Sequence, residues 1–276
     1  MSKNHIETAI EVKSELQRAL TTEFEFVDDI LEFSLSVLRI CESSDQTNGT
    51  KYSFRVSFLV YIRAYNSALA AYELLKSGFA YHGVMICRSL FEDLVNLKYL
   101  NAADVEKRAD RYIAFRGLKQ ARAIKLYRRL VGKENLPEEM KETFDLARKV
   151  FEEKFPDGEW LGDWSGTSLD KKAEAVNMLK DYVFVASQLS SYLHGGPEGV
   201  DAGIRGISNG KQQHLIGPRT DGTLEAMITM AVYLLLATGE MVNKYDLIDK
   251  KEKFAELNKI CTDRFSKYIK PSVNIL

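Results

Sequence analysis

Proline, cysteine and long hydrophobic runs are all scarce in this chain, and each shortage narrows what it can be. Only five prolines occur in 276 residues. The long stretches between them carry apolar residues at three- and four-residue spacing, so helices dominate and no convincing strand pair is predicted. The three cysteines, Cys41, Cys87 and Cys261, lie far apart without a CxxC pair. That spacing excludes a disulfide framework and leaves buried, reduced thiols as the expectation. Met1 to Glu7 lack the apolar segment of a signal peptide. The longest predominantly apolar run, Ala226 to Ala237, is 12 residues, short of the ~20 that a spanning helix needs. A cytoplasmic protein with no membrane association is therefore expected. The net charge is only −1, so no field of the whole molecule announces nucleic acid or an anionic surface. The GxxxxGK[ST], GxGxxG, HExxH and GxSxG signatures are missing, and with them the common phosphate, dinucleotide, zinc-protease and serine-hydrolase chemistries. No cofactor and no metal site is expected.

What is present is an ordinary globular balance, 45% hydrophobic and 28% charged residues. The expected fold is an all-α multi-helix bundle in a single domain, 1–276. Within it, 1–50 form an N-terminal helical region, 51–245 a core and 246–276 a C-terminal helix. Residues 6–42 read as one helical region bent at Thr21 and Thr22. Further helices are expected at Tyr52–Lys76, Phe79–Leu100, Val105–Val131 and from Pro137 to Phe155. Thr167 and Asp170 have the spacing of a capping box, opening a sixth helix that runs to His194 before Gly195-Gly196-Pro197. Helices over Thr223–Lys244 and Lys251–Ile269 close the chain. Between the sixth and seventh helices, residues 195–222 hold eight of the 17 glycines and read as one long loop, functional or mobile.

Three groups of residues can carry chemistry. On the third helix, Glu92 lies about 40° around the axis from Arg88, so an i, i+4 ion pair falls on an aromatic stripe with Tyr81 and Tyr99. His82, Ser89, Asp93 and Asn96 form the polar stripe where solvated groups belong. A charge pair off that stripe is either a clamp between helices or part of a site. On the sixth helix, Ser187, Ser190 and His194 share a narrow stripe. His194 stands at a C-terminus whose dipole favours the protonated ring. It reads as a cap for the last carbonyls or as a general acid or base. The fourth helix region is basic, with ten Lys and Arg between Lys107 and Lys133, including Arg122 and Arg129, against Asp104, Glu106 and Asp110. It is open to three readings: phosphate binding, solvation, or docking on the acidic Glu23, Glu25, Asp28, Asp29 and Glu32 within the bundle or across a dimer. Arg205, His214 and Arg219 in the glycine-rich stretch could close over a pocket as a lid.

The run Gly78-Phe79-Ala80 leading to Arg88-Ser89-Leu90-Phe91-Glu92, followed by Tyr99-Leu100, resembles the "RSLxE" helix of a large uncharacterised family of bacterial all-helical proteins. Trp164-Ser165-Gly166, Tyr182, and Ser190, Tyr192, His194, Gly195 resemble the same family's tryptophan loop and S-x-x-x-H helix end. The resemblance spans about residues 55–245 and implies a helical bundle of a kind that often sits among bacterial defence or toxin-like genes. A more distant likeness is to HEPN ribonucleases, dimeric bundles that cut RNA with an Arg and a His at R-x(4 to 6)-H. No Arg stands at that distance before any histidine here, so such a site would need Arg88 to meet His194. The expectation is a defence-linked or toxin-like effector acting on RNA or another phosphodiester. Arg88, Glu92, Ser190 and His194 would be its catalytic residues, and Trp164, Arg205, His214, Arg219, Arg122 and Arg129 its binding residues. The alternative is a non-catalytic binding or scaffold protein. In either case a homo-oligomer is expected, because the first helical region and the Ala226–Ala237 stretch offer more apolar face than one bundle covers.

Overall fold

The computed structural model describes residues 5–47, 51–132, 135–155, 163–184, 204–208, 211–214 and 217–269. The chain enters through α1 (His5–Ala19) and α2 (Thr21–Thr47). The predicted bend falls between them, where the Thr21 hydroxyl donates back to the Gln17 carbonyl at 2.6 Å and competes with the backbone ladder. Next come α3 (Tyr52–Lys76) and α4 (Ala80–Ala102). Gly78 joins them at φ +80. Its N–H bonds Leu75, and the Phe79 N–H bonds Leu74, at 3.0 and 2.9 Å, the paired closure of a helix ending in a left-handed glycine. A Cβ on Gly78 would lie 2.6 Å from Val12 and 2.9 Å from the Arg219 carbonyl, so the same glycine lets α1 and the approach to the last helices close on this turn.

α5 (Val105–Val131) and α6 (Glu138–Lys154) form an antiparallel pair, joined at their base by the Lys154–Asp110 bridge of 2.8 Å. The expected sixth helix is in fact broken. α7 (Leu169–Ala175) and α8 (Leu179–Phe184) are separated at Asn177, which takes φ +58, an uncommon conformation that Asn tolerates better than most residues. The N-cap position of α7 is Ser168, not Thr167, and its side chain makes no capping hydrogen bond. The glycine-rich stretch is not simply a loop either. It holds an antiparallel hairpin, β1 (Ile204–Ser208) and β2 (Lys211–His214), with Ser208 opposite Lys211 and an irregularity between Ile204 and Gly206.

α9 (Thr223–Lys244) and α10 (Ile248–Ile269) complete the fold. α4 and α9 pack on each other and on α3, with α2 on the far side of α3 and α9. Three hydroxyls fasten this centre: Thr238 to Ser34 and to Tyr61, each at 2.8 Å. α9 is long and apolar enough by length and composition to cross a membrane, and 72% of its most apolar window is buried in the bundle. Much of the apolar face of α2 and of Ala226 to Ala237 lies in the core of the chain, while Ile10 of α1 stays 61% exposed. Within the chain, among the described residues, the acidic face of α2 does not dock on basic α5. α2 packs on α1, α3 and α9, and α5 packs on α3, α4 and α6.

Candidate functional site

α4 carries polar residues into the middle of the bundle, and they fall into two adjoining groups. In the first, Arg88 Nη2 meets Glu92 Oε1 at 3.0 Å, with the Arg88 side chain 11% exposed and that of Glu92 43%. The i, i+4 pair exists and is half-buried. The remaining guanidinium nitrogens, Nε and Nη1, are buried and have no hydrogen-bond partner among the described residues. Beside Arg88 stands Tyr233 of α9, packed on Phe91 with ring centroids 5.3 Å apart. Burial pushes the Tyr233 hydroxyl well above its ordinary pKa, the Asp181 and Cys87 charges add to this, and the Arg88 charge opposes them. Asp181 of α8 is itself raised, chiefly by burial, against its own backbone hydrogen bond and the Lys98 charge. Lys98 in turn pairs with Glu240 at 2.8 Å.

The second group overturns an expectation. Asp93 and Asn96, assigned to the solvated stripe, face inward. Asp93 is 2% exposed and pairs with Arg63 of α3. Burial pushes its carboxyl up to about 6, against the Arg63 hydrogen bond and charge and with the help of Glu92. Its Oδ2 has no partner among the described residues. Asn96 Oδ1 accepts from Trp164 Nε1 at 3.1 Å and from Lys172 Nζ at 2.7 Å. Lys172, only 1% exposed, also reaches Asp163 at 2.9 Å. Burial pulls its ammonium below the ordinary lysine value, opposed by the Asp163 charge and hydrogen bond and by Glu92. Trp164 is the pillar of this corner, edge-on to Tyr99 at 5.8 Å and Tyr112 at 5.2 Å. The helical wheel of α4 placed these residues together; it could not show that residues 163–172 cover them.

The other predicted residues are scattered or undescribed. Ser190 and His194, like Ser187, lie outside the described residues. Arg205 and His214 are backbone positions on the hairpin strands. Arg219 is held at its backbone, whose N–H donates to the Gly78 carbonyl at 2.8 Å, and its Nε lies 3.5 Å from Asp221. Arg122 sits over the Phe115 ring at 5.8 Å, and Arg129 is exposed near the end of α5. Among the described residues the first turns of α5 meet the seam, through Arg108 stacked on Tyr99 at 3.8 Å and Tyr112 edge-on to Trp164 at 5.2 Å. Arg122 and Arg129 lie roughly 20 to 30 Å farther along the axis at 1.5 Å per residue. The cysteines are buried thiols, with burial raising Cys41 and Cys87 to about 12 and Cys261 to about 11. Among the described residues no cluster of His, Cys, Asp and Glu could hold a metal.

The sequence missed Arg63, Asp163 and Lys172, which complete the seam. Their partners are 30, 9 and 76 residues away, and no local spacing marks such pairs. Arg63 also borders an open groove of about 540 Å³ between α3 and α4, lined mainly by Leu59, Ile62, Ala70 and Ile86.

Residues 54–212, more than half of the chain, match the model of a family of unknown function, DUF5677. The match takes in α4, the tryptophan corner and the hairpin strand β1. No curated protein and no solved structure matches the chain.

Proposed function

The chain belongs to this family of unknown function, and from that premise we propose that the Arg88 end of the α4 seam binds a phosphate-bearing ligand, with RNA or a nucleotide as its class. The observation that carries this reading is the guanidinium of Arg88, held by Glu92 at one nitrogen and left with two buried nitrogens unmatched. Each unmatched buried donor costs about 1 to 3 kcal/mol. Nε and Nη1 lie on different edges of the planar guanidinium, so one phosphate on the Nη1–Nη2 edge would answer Nη1 and relieve part of that cost, and Glu92 opens the pair to solvent. On this reading Glu92 orients Arg88, Arg88 stabilises charge on the phosphodiester, and His194, with Ser190, moves a proton. The protein is then a bacterial defence-linked or toxin-like effector with a HEPN-like division of labour between an Arg and a His.

The test measures binding of a labelled single-stranded RNA oligomer and of ATP to the full chain. Arg88→Lys keeps the charge but loses the fork, and should weaken binding about tenfold to a hundredfold, the loss of roughly 1.5 to 3 kcal/mol of charge-assisted hydrogen bonding. Equal affinity of wild type and Arg88→Lys, or no binding of either probe, ends the reading. A second reading, a non-catalytic binding or scaffold protein, draws on the Asp93, Asn96 and Lys172 end of the seam, whose groups mostly satisfy one another as a clamp between helices would. Growth of a bacterial host expressing wild type or a folded His194→Ala variant separates the two. An identical effect of both on growth favours the scaffold.

A further inference from the structure

We propose that two copies of this chain associate through the α5–α6 pair, with α5 of each copy lying along α6 of the other. The argument starts from where the apolar surface is. Of the 13 large hydrophobic side chains that stand exposed among the described residues, six are on these two helices. Leu130, at 84%, is the most exposed of all, and Leu146 on α6 reaches 65%. Such a concentration on one helical pair is more than the scatter of single exposed residues on a monomer's surface.

The pattern along α5 has a partner's geometry. Ala123, Leu126 and Leu130 recur at three- and four-residue spacing, the repeat of one helix face packed on another. That face does not serve the α5–α6 contact within the chain, where Gly117 approaches Ala147 and Leu118 and Ala121 are buried. Two helices joined by a short turn, each with an apolar residue on an outer face, form a four-helix bundle when a second pair is added.

Charge decides what covers the face. α5 carries nine Lys and Arg against two acidic residues, whereas α6 carries six Asp and Glu against four basic residues. Laying α5 on the α5 of another copy would set positive against positive. Laying it on the α6 of another copy sets positive against negative, and a two-fold axis repeats that contact twice. RNA would answer the charge of α5 but leave Leu126 and Leu130 in water. A second copy answers both. This inference is independent of the Arg88 site.

The experiment is light scattering on the full chain at micromolar concentration. The expected mass is twice 31.4 kDa, falling to the single-chain value in the Leu126→Glu, Leu130→Glu double variant with unchanged helical circular dichroism. Leu59→Glu, at an exposed position on α3, should leave the dimer intact. Pairing is read by mixing Leu130→Cys chains with Leu146→Cys chains under mild oxidation. Because the native thiols are buried, a disulfide joining the two kinds of chain is expected. A monomeric wild type, including one that instead captures single-stranded RNA or anionic lipid vesicles, overturns the proposal. So does a dimer that survives the double variant, or cross-linking confined to chains of the same kind.

Discussion

The α4 seam and the α5–α6 pair contain the same kinds of residue and treat them in opposite ways. In the seam, Lys172, Asp93 and Arg88 are nearly or largely enclosed and each depends on one or two named partners. On the helical pair, Arg148 and Glu152 are bonded at 2.8 Å with both side chains more than half exposed. Near-identical distances thus conceal different energetics. A buried charge that loses its partner has no water to turn to, while an exposed one does. The seam should be brittle and the pair tolerant.

Removing Asp163 should give the largest loss. In Asp163→Ala the Lys172 ammonium keeps Asn96 but loses its only anionic partner at hydrogen-bond distance among the described residues, and the Ser165 N–H and hydroxyl lose an acceptor at 2.9 and 2.7 Å. Stranding a buried charge costs about 3 to 5 kcal/mol, read as a lowered midpoint in urea unfolding. Asp163→Asn retains an acceptor for Ser165 and should lose less. A loss under 1 kcal/mol in the alanine variant would show that Lys172 sheds its proton or finds water, and would erase the contrast between the two regions.

A smaller and oppositely signed effect belongs to Asp93. Its carboxyl is raised from 3.8 to about 6 in the fold, so between those values the folded state binds more protons than the unfolded one. Stability therefore falls as pH rises from about 4 through 6, by at most about 3 kcal/mol at roughly 1.4 kcal/mol per unit. Asp93→Asn should remove that slope. An unchanged slope in the variant would assign the pH dependence to other groups and show Asp93 to be fully compensated by Arg63.

Local signals were legible; long-range cover was not. The bounds of α3, α5 and α9 follow from three- and four-residue spacing, as does the Arg88–Glu92 pair, because all of these are settled within one helix. The break at Asn177 has no Gly or Pro to announce it, so a period that continues across it reads as one helix. The hairpin was missed for another reason. Asn209-Gly210 is a turn signal, but eight glycines nearby gave the stretch a loop's composition. Asp93, Asn96 and Lys172 were illegible as core because each looks like a surface residue on its own element. The arrival of α7 and of Trp164 turns Asn96 and Lys172 inward, and Arg63 of α3 does the same for Asp93.

The smallest expected effect lies on α6. Arg148 donates its Nε to Glu152 at 2.8 Å, with the two side chains 68% and 61% exposed. The guanidinium is also held above its ordinary value, by that hydrogen bond first and by the Glu152 charge second. Yet the exposed pair gains little, because water solvates both groups almost as well apart and ordering two long side chains costs entropy. Arg148→Ala should therefore leave the midpoint of urea unfolding at low salt almost unchanged. Raising the salt should erase even that difference, since the pair lies in solvent where screening is effective. A clear drop in that midpoint that persists in high salt would mean that Arg148 is enclosed in solution. The tolerant surface of α6 would then be a second brittle one.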